Sequence, residues 1–279
     1  MLLGPVEIAK LLEELSVKPT KKLGQNFVHD ANIVRKIVKA AQLEPDDVVL
    51  EVGPGLGSLT LGLLPEVSSV IAVDIDERFI DQLPKTVAKY APEFKDRLVA
   101  THQDALTLTA DDLTKAPTAL VANLPYNVAV PVIITLLTNF PSIAKLLVMV
   151  QAEVADRLAA KPGDSAYGAP SVKLQWFMQV TRGANIPRPV FIPVPNVDSG
   201  LVFGIRQQSP KTQVEQRDVF KVIDAAFNQR RKMLRSALTS ITTSATEAEA
   251  ALIKAGIDPT LRGEMLDIEQ YVRLTEALN

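Results

Sequence analysis

The stretch Val48-Val49-Leu50-Glu51-Val52-Gly53-Pro54-Gly55-Leu56-Gly57-Ser58-Leu59-Thr60 constrains the fold more than any other part of the chain. Val48 to Val52 is a short apolar run closed by turn residues, the pattern of a buried strand. Three glycines at alternate positions follow, and then a helix-compatible segment from Leu59 to Leu64. Glycine adopts the dihedrals of a tight turn and lets a ligand approach where a Cβ would collide. A strand, a glycine turn and a helix start in that order suit a nucleotide-type ligand against Gly53 and Gly55, at the carboxyl edge of a parallel sheet. The same string also suits a plain strand-to-helix turn, so the remaining motifs decide.

Further strand patterns follow at regular intervals. Ser69 to Asp76 ends in carboxylates, Arg97 to Ala105 contains Asp104 near its end, and Thr118 to Tyr126 closes on Asn123-Leu124-Pro125-Tyr126. Ala144 to Gln151 is a fifth strand, and Ser199 to Gln207 alternates as a last one. Strands separated by helical stretches predict a doubly wound α/β domain. The polar stretch beginning at Gln208 is the best boundary, which gives a domain over 1–207 and a smaller, all-helical domain over 208–279.

Composition excludes several classes. There is no cysteine and there are only two histidines, His29 and His102. Disulfides, thiolate metal sites and cysteine nucleophiles are ruled out, no metal centre is expected, and a cytoplasmic setting is the default. The longest apolar runs, such as Val128 to Leu137, are too short to span a bilayer. Met1 to Leu15, with Glu7, Glu13 and Glu14, has the pattern of an amphipathic helix rather than a targeting segment. The net charge of −2 argues against nucleic-acid binding by bulk charge. Its distribution is uneven, however: six basic residues and two acidic ones lie between Arg217 and Arg235, enough for a phosphate-binding patch. If this run is helical, Arg231 and Arg235 share a face. Lys18 to Asp30, with three lysines and the Gln25-Asn26-Phe27 triplet, suits either a solvated linker or a loop across an anionic ligand.

Asp74 lies about 20 residues beyond the glycines, where an acid can accept from both ribose hydroxyls. Asp76 is better placed to cap the next helix, and Asp104 to accept from an adenine amine. The decisive motif is Asn123-Leu124-Pro125-Tyr126. An exocyclic adenine amine is a poor nucleophile because its lone pair is delocalised into the ring. Alkylating it requires acceptors that turn the lone pair toward the electrophile. The Asn123 side-chain carbonyl and the Leu124 main-chain carbonyl can do this, with Pro125 setting the turn. Tyr126 offers the base a flat face worth roughly 1–3 kcal/mol, and Phe191 is the candidate for the opposite face. The implied electrophile is the sulfonium methyl of S-adenosylmethionine. A dinucleotide fingerprint would need glycine where Ser58 stands. Direct displacement relies on alignment, and no general base is evident.

Lys22-Leu-Gly-Gln-Asn-Phe27, Glu51-Val-Gly-Pro-Gly-Leu-Gly57, Asn123-Leu-Pro-Tyr126, Phe191-Ile-Pro-Val-Pro-Asn-Val-Asp-Ser199 and Phe227-Asn-Gln-Arg-Arg-Lys-Met-Leu-Arg235 occur in order over nearly the whole chain. Together they resemble the KsgA/RsmA family of small-subunit ribosomal RNA adenine dimethyltransferases. The resemblance implies a Rossmann-like class I methyltransferase domain followed by a small helical domain. It implies dimethylation of N6 on two adjacent adenosines in the 3′-terminal hairpin of 16S rRNA, within the immature 30S subunit, by a protein expected to be a monomer. By the same resemblance Asn26, Val28, Gly53, Asp74, Asp104 and Asn123 match cofactor-contacting positions, and Tyr126 and Phe191 match the base-stacking pair. Arg230, Arg231, Lys232 and Arg235 match part of the RNA-binding module. Two residues depart from many members, which carry glutamate at the position of Asp74 and leucine at that of Val28. The competing readings are a 23S rRNA dimethyltransferase of the antibiotic-resistance type, a non-catalytic assembly factor on the same fold and, on the glycine loop alone, an NAD-dependent oxidoreductase.

Overall fold

A computed structural model describes residues 1–17 and 26–279. The lysines at 18, 21 and 22 and the Gln25 of the first shared motif lie outside the described residues. The chain divides into two compact units, one of Met1–Ala155 with Thr181–Arg206, the other of Asp156–Val180 with Gln207–Asn279. The segment Asp156–Val180, assigned from sequence to the first domain, thus packs in the second unit.

In the first unit, helix α1 (Pro5–Glu14) precedes the short strand β1 (Phe27–Val28) and helix α2 (Ala31–Ala40). Asp30 caps α2, its carboxylate accepting from the Asn32 and Ile33 N–H groups. Then come β2 (Val48–Val52), α3 (Ser58–Leu63), β3 (Ser69–Asp74), α4 (Glu77–Tyr90), β4 (Leu98–His102), β5 (Ala119–Asn123), α5 (Ala129–Asn139) and β6 (Lys145–Gln151). After β6 the chain forms α6 (Ala152–Ala159) and α7 (Ala169–Gln175), then β7 (Met178–Ile186), β8 (Phe191–Ile192) and β9 (Ser199–Arg206).

The large sheet has the order β4-β3-β2-β5-β6-β9-β7, and among the described residues β8 pairs with β1 in a two-stranded sheet. From β4 to β6 the strands are parallel, and β9 runs antiparallel to β6. The chain builds outward from β2 to β4, then returns to lay β5 on the other side of β2. That reversal creates a crevice at the carboxyl ends of the central strands, where this architecture binds ligands. Val49, Leu50, Val70, Ile71, Ala72 and Val73 are all within 1% of full burial, so the central strands are covered on both faces.

The strands are somewhat shorter than their sequence patterns. β3 stops at Asp74 because Asp76 caps α4, accepting from Arg78 N–H at 3.1 Å. Helix α4 continues through Pro84, which is exposed, because Leu83, Thr86 and Val87 keep one buried face in register. Strand β7 has no counterpart in the sequence reading: it is the last strand of the sheet and mostly exposed, so its residues lack the apolar alternation that marks a strand.

The second unit gathers α7 with α8 (Gln216–Asn228), α9 (Leu234–Ala237), α10 (Ala245–Lys254) and α11 (Ile268–Leu278). Phe227 packs edge-on to Tyr167 and stacks on Tyr271, with ring centroids 6.3 and 6.4 Å apart. Trp176 and Phe177 both meet Phe220 edge-on, as expected of core aromatics. The basic run is not one helix. Helix α8 ends at Asn228, and the chain turns through 229–233. The Leu234 N–H then bonds to the Leu261 carbonyl at 2.8 Å, while its side chain is fully buried. Anchoring Leu234 holds Met233 extended, so Arg231 and Arg235 do not share a helical face.

Gly62 shows how tightly α2 and α3 pack: a Cβ there would lie 2.6 Å from Val34 Cγ1 and 3.1 Å from Val38 Cγ2. Alanine would improve helix propensity by about 1 kcal/mol, but overpacking costs about 1–3 kcal/mol. Gly62→Ala is therefore expected to lower the urea midpoint of unfolding; a raised midpoint would show that the two helices can separate cheaply.

Candidate active site

Gly53, Gly55 and Gly57 carry φ values of +70°, +54° and +94°. Only glycine adopts such dihedrals without strain, and three in five residues reverse the chain from β2 into α3. At Gly55 a Cβ would lie 2.8 Å from the Phe27 ring, which itself packs edge-on against Phe79 at 5.6 Å. The turn therefore keeps its backbone bare toward a cavity bounded by Asn26–Val28, Asp74–Asp76, Asn123 and Pro125. A second cavity shares Gly53, Asp74, Ile75 and Pro125 with the first and extends to Asp104, Leu106 and Val128.

Glu51 is 1% exposed and lines the first cavity. Thr60 Oγ1 donates to its Oε2 at 2.7 Å. Burial pushes the Glu51 carboxyl up to about 8; the Thr60 hydrogen bond opposes this and the charge of Asp74 adds to it. Burial also raises Asp74, against hydrogen bonds from the main chain at Asp76, Gly55 and Ile75. Asp104 takes the Leu106 N–H at 2.9 Å with one carboxylate oxygen. Among the described residues lining the two cavities there are carboxylates but no lysine, arginine or histidine. A carboxylate-lined site with no cation of its own suits a sulfonium better than a pyrophosphate.

Asn123 stands at the carboxyl end of β5, and its side-chain nitrogen donates to the Asn26 carbonyl at 3.0 Å. A main-chain carbonyl only accepts, so this contact sets which way the amide is turned and leaves its oxygen as an acceptor elsewhere. Asn26 is itself placed by the β1–β8 pair, in which Phe27 faces Ile192 and Val28 faces Phe191. The His29 N–H extends the pairing to the Val190 carbonyl at 3.0 Å. Leu124 is anchored through its N–H to the Met149 carbonyl at 3.0 Å. The Tyr126 hydroxyl meets Ser199 Oγ at 2.9 Å.

Asn26, Val28, Gly53, Gly55, Asp74, Asn123 and Pro125 thus meet around one cavity, and Asp104 borders the adjoining one. Tyr126 and Phe191 line neither. Phe191 is fully buried and presents no open ring face here; its visible task is to hold β1. Glu51 lacked an individual role in the sequence reading, although a lone carboxylate inside an apolar strand was the available signal. Ile75 and Leu106 were also missed: both are exposed apolar side chains at the second cavity, 67% and 38% accessible, and nothing in their sequence context sets them apart.

Residues 17–279 match the family model described as ribosomal RNA adenine dimethylase. The chain belongs to the ribosomal RNA adenine dimethylase family. Similar relatives include the ribosomal RNA small subunit methyltransferase A of Thermobifida fusca, 58% identical over 275 residues, spanning 99% of this chain and 96% of the relative. The protein of the same name from Corynebacterium diphtheriae is 58% identical over 278 residues, 98% of this chain and 94% of its own. Among solved structures, a dimethyladenosine transferase from Plasmodium falciparum superposes with a TM-score of 0.74 at 25% identity, covering 89% of this chain and 95% of that one. The 23S rRNA methyltransferase ErmE superposes at 0.65 and 25% identity, covering 91% and 99%. This member of the ribosomal RNA adenine dimethylase family is a class I S-adenosylmethionine-dependent methyltransferase with a Rossmann-like sheet. The bare glycine turn and the carboxylate lining fit that cofactor; the turn alone would also suit a dinucleotide, but Ser58 in place of the fingerprint's last glycine does not.

Glu51 generates a pH prediction for the ligand-free protein. Its folded pKa of about 8 lies above its ordinary value of 4.5. The folded state therefore holds a proton that the unfolded chain releases, and the stability tied to it falls as pH rises through that window. Glu51→Gln keeps a partner for Thr60 without charge and is expected to flatten most of this slope in urea titrations between about pH 5 and 9. Identical slopes for the two proteins would mean that Glu51 is ionised in the fold.

Proposed function

We propose that this enzyme transfers methyl groups to N6 of two adjacent adenosines in the 3′-terminal hairpin of 16S rRNA, in the immature 30S subunit. The observation that carries this reading is the Asn123 amide, tethered by its nitrogen to Asn26 with its oxygen left to accept at the cavity. In this reading Asp74 holds the ribose, Asp104 accepts from the cofactor's adenine amine, and the backbone around Asn26, Val28, Gly53 and Gly55 encloses the cofactor. When bound, the cofactor supplies an electrophilic methyl carbon on sulfur. The Asn123 side-chain oxygen and the Leu124 carbonyl take the two N–H groups of the target amine and turn its lone pair toward that carbon. Pro125 sets their spacing and Tyr126 offers the purine a face. Alkylation makes the amine acidic, so its proton leaves without a dedicated base. A monomethylated amine retains one N–H, which one acceptor can still align for the second transfer.

The small-subunit assignment is supported by relatives at 55–58% identity over nearly the full chain, whereas the ErmE likeness stands at 25%. No described helix is long and apolar enough to cross a membrane. A ribosomal substrate fits a cytoplasmic enzyme, which we propose acts as a monomer. Methylation of immature 30S particles and of 23S rRNA, assayed side by side, tests the assignment: labelling of 23S alone would reverse it.

The second unit is read as the RNA-binding module, with its cations in unequal roles. Arg230 is engaged internally, by Glu264 at 2.7 Å and the Ser165 carbonyl at 2.6 Å. Arg235 lies 3.8 Å from Glu249. Arg231 and Lys232 are exposed and have no ion-pair partner among the described residues. They are the free phosphate contacts of the group.

Two outcomes are expected. Asn123→Ala lowers kcat by roughly 10²–10³-fold, the scale of losing a preorganised polar group, with RNA affinity nearly intact; undiminished turnover would remove Asn123 from the chemistry. Arg231→Ala and Lys232→Ala each weaken RNA binding and reduce its salt slope by about one. Unchanged binding and slope would leave that turn a solvated surface.

A further inference from the structure

A phenylalanine would stack on a purine as well as a tyrosine does, so the hydroxyl of Tyr126 needs a separate account. It lies 2.9 Å from the hydroxyl of Ser199, the first residue of β9, whose side chain is completely buried. Burial raises the Tyr126 phenol above its ordinary value, which leaves it protonated at neutral pH and unfit to remove a proton from an amine. The hydroxyl therefore works as a handle on the ring.

Ser199 is well placed to hold that handle. It pairs with Gln151 at the end of the β6–β9 ladder. The preceding residue, Asp198, accepts the Ala152 N–H at 3.0 Å through its carbonyl and the Arg188 N–H at 3.1 Å through its carboxylate. The Arg188 guanidinium lies 3.5 Å from the same carboxylate and donates to the Asn196 carbonyl at 3.1 Å. Tyr126, by contrast, sits in the turn between β5 and α5, outside regular structure.

We propose that Ser199 is a positioning residue for methyl transfer, holding the Tyr126 ring at the tilt that brings the target amine into line with the donor methyl. This rests on the reading of Tyr126 as the base-facing residue. The Phe191–Ser199 segment then serves the chemistry from both ends. Its β8 end pairs with β1 and so presents the Asn26 carbonyl that orients Asn123; its Ser199 end orients Tyr126. Ring tilt matters because a displacement needs the attacking atom, carbon and leaving atom aligned, and small misplacements cost rate rather than affinity.

The test is a double-mutant cycle on the full-length enzyme with immature 30S particles. Ser199→Ala and Tyr126→Phe are each expected to lower kcat roughly tenfold, the scale of one lost hydrogen bond, with KM for the particle unchanged. Combining them is expected to cost no more than either alone. Ser199→Thr, which keeps the hydroxyl, is expected to recover most of the rate, and calorimetric affinity for S-adenosylmethionine to stay at the wild-type value throughout. The proposal fails if the losses multiply, because Ser199 then acts other than through Tyr126. Tyr126→Ala separates it from the reading beneath it. An unchanged rate would take Tyr126 out of the base site altogether. A large loss combined with silent Tyr126→Phe and Ser199→Ala would keep the base site and reject the tether.

Discussion

Most of the cavity lining follows from how β4, β3, β2 and β5 end. Because β4, β3, β2, β5 and β6 run parallel and in register, their carboxyl ends lie side by side along one edge. Gly53, Asp74, Asp104 and Asn123 are far apart in sequence, yet each falls at or just beyond the end of one of these strands, with Glu51 one residue inside β2. The left-handed glycines after β2 complete the arrangement by removing side chains from the floor of the crevice. A side chain at Gly55 would collide with Phe27, so bare backbone is also a packing requirement.

The legible parts of the chain were those in which local chemistry and burial point the same way. The strands β2, β3, β5 and β6 are apolar because they are covered on both faces, and the helix start at Asp76 is marked by its capping carboxylate. The acids at strand ends were readable for a different reason. A carboxylate that closes an apolar run must either cap something or hold something, and Asp74 does both by taking the Asp76 N–H at 3.0 Å and lining the cavity. Strand β7 was not legible because an exposed edge strand lacks the alternation that burial imposes. The break after Asn228 was missed because its cause lies elsewhere in the chain, where the Leu261 carbonyl takes the Leu234 N–H. Spacing of four between Arg231 and Arg235 is compatible with a helix, and tertiary packing overrides it.

The buried state of Phe191 carries a related lesson about motifs. The string Phe191-Ile-Pro-Val-Pro-Asn-Val-Asp-Ser199 identifies a segment without saying which residue meets the base. In the fold its first residue is sealed in the core against β1, and its last is buried with its hydroxyl against that of Tyr126. Between them, Arg188 brackets the segment through Asp198 and Asn196. In the proposed mechanism, a segment fixed at both ends supports its neighbours Asn26 and Tyr126.

For the proposed reaction, the electrostatics also favour an amide at position 123. An aspartate there would have the same reach and two acceptor oxygens. The cavity already contains Glu51 and Asp74, both raised toward neutrality, with Asp76 beside them. A further carboxyl group beside them in a partly buried site would have its own pKa raised too, and in its protonated form it would present a donor to the proposed target amine. An amide accepts at every pH. It also brings a nitrogen that can be tethered, and the Asn26 carbonyl does so at 3.0 Å. Asparagine supplies the acceptor and its own orienting donor in one side chain, which aspartate in this charge environment does not.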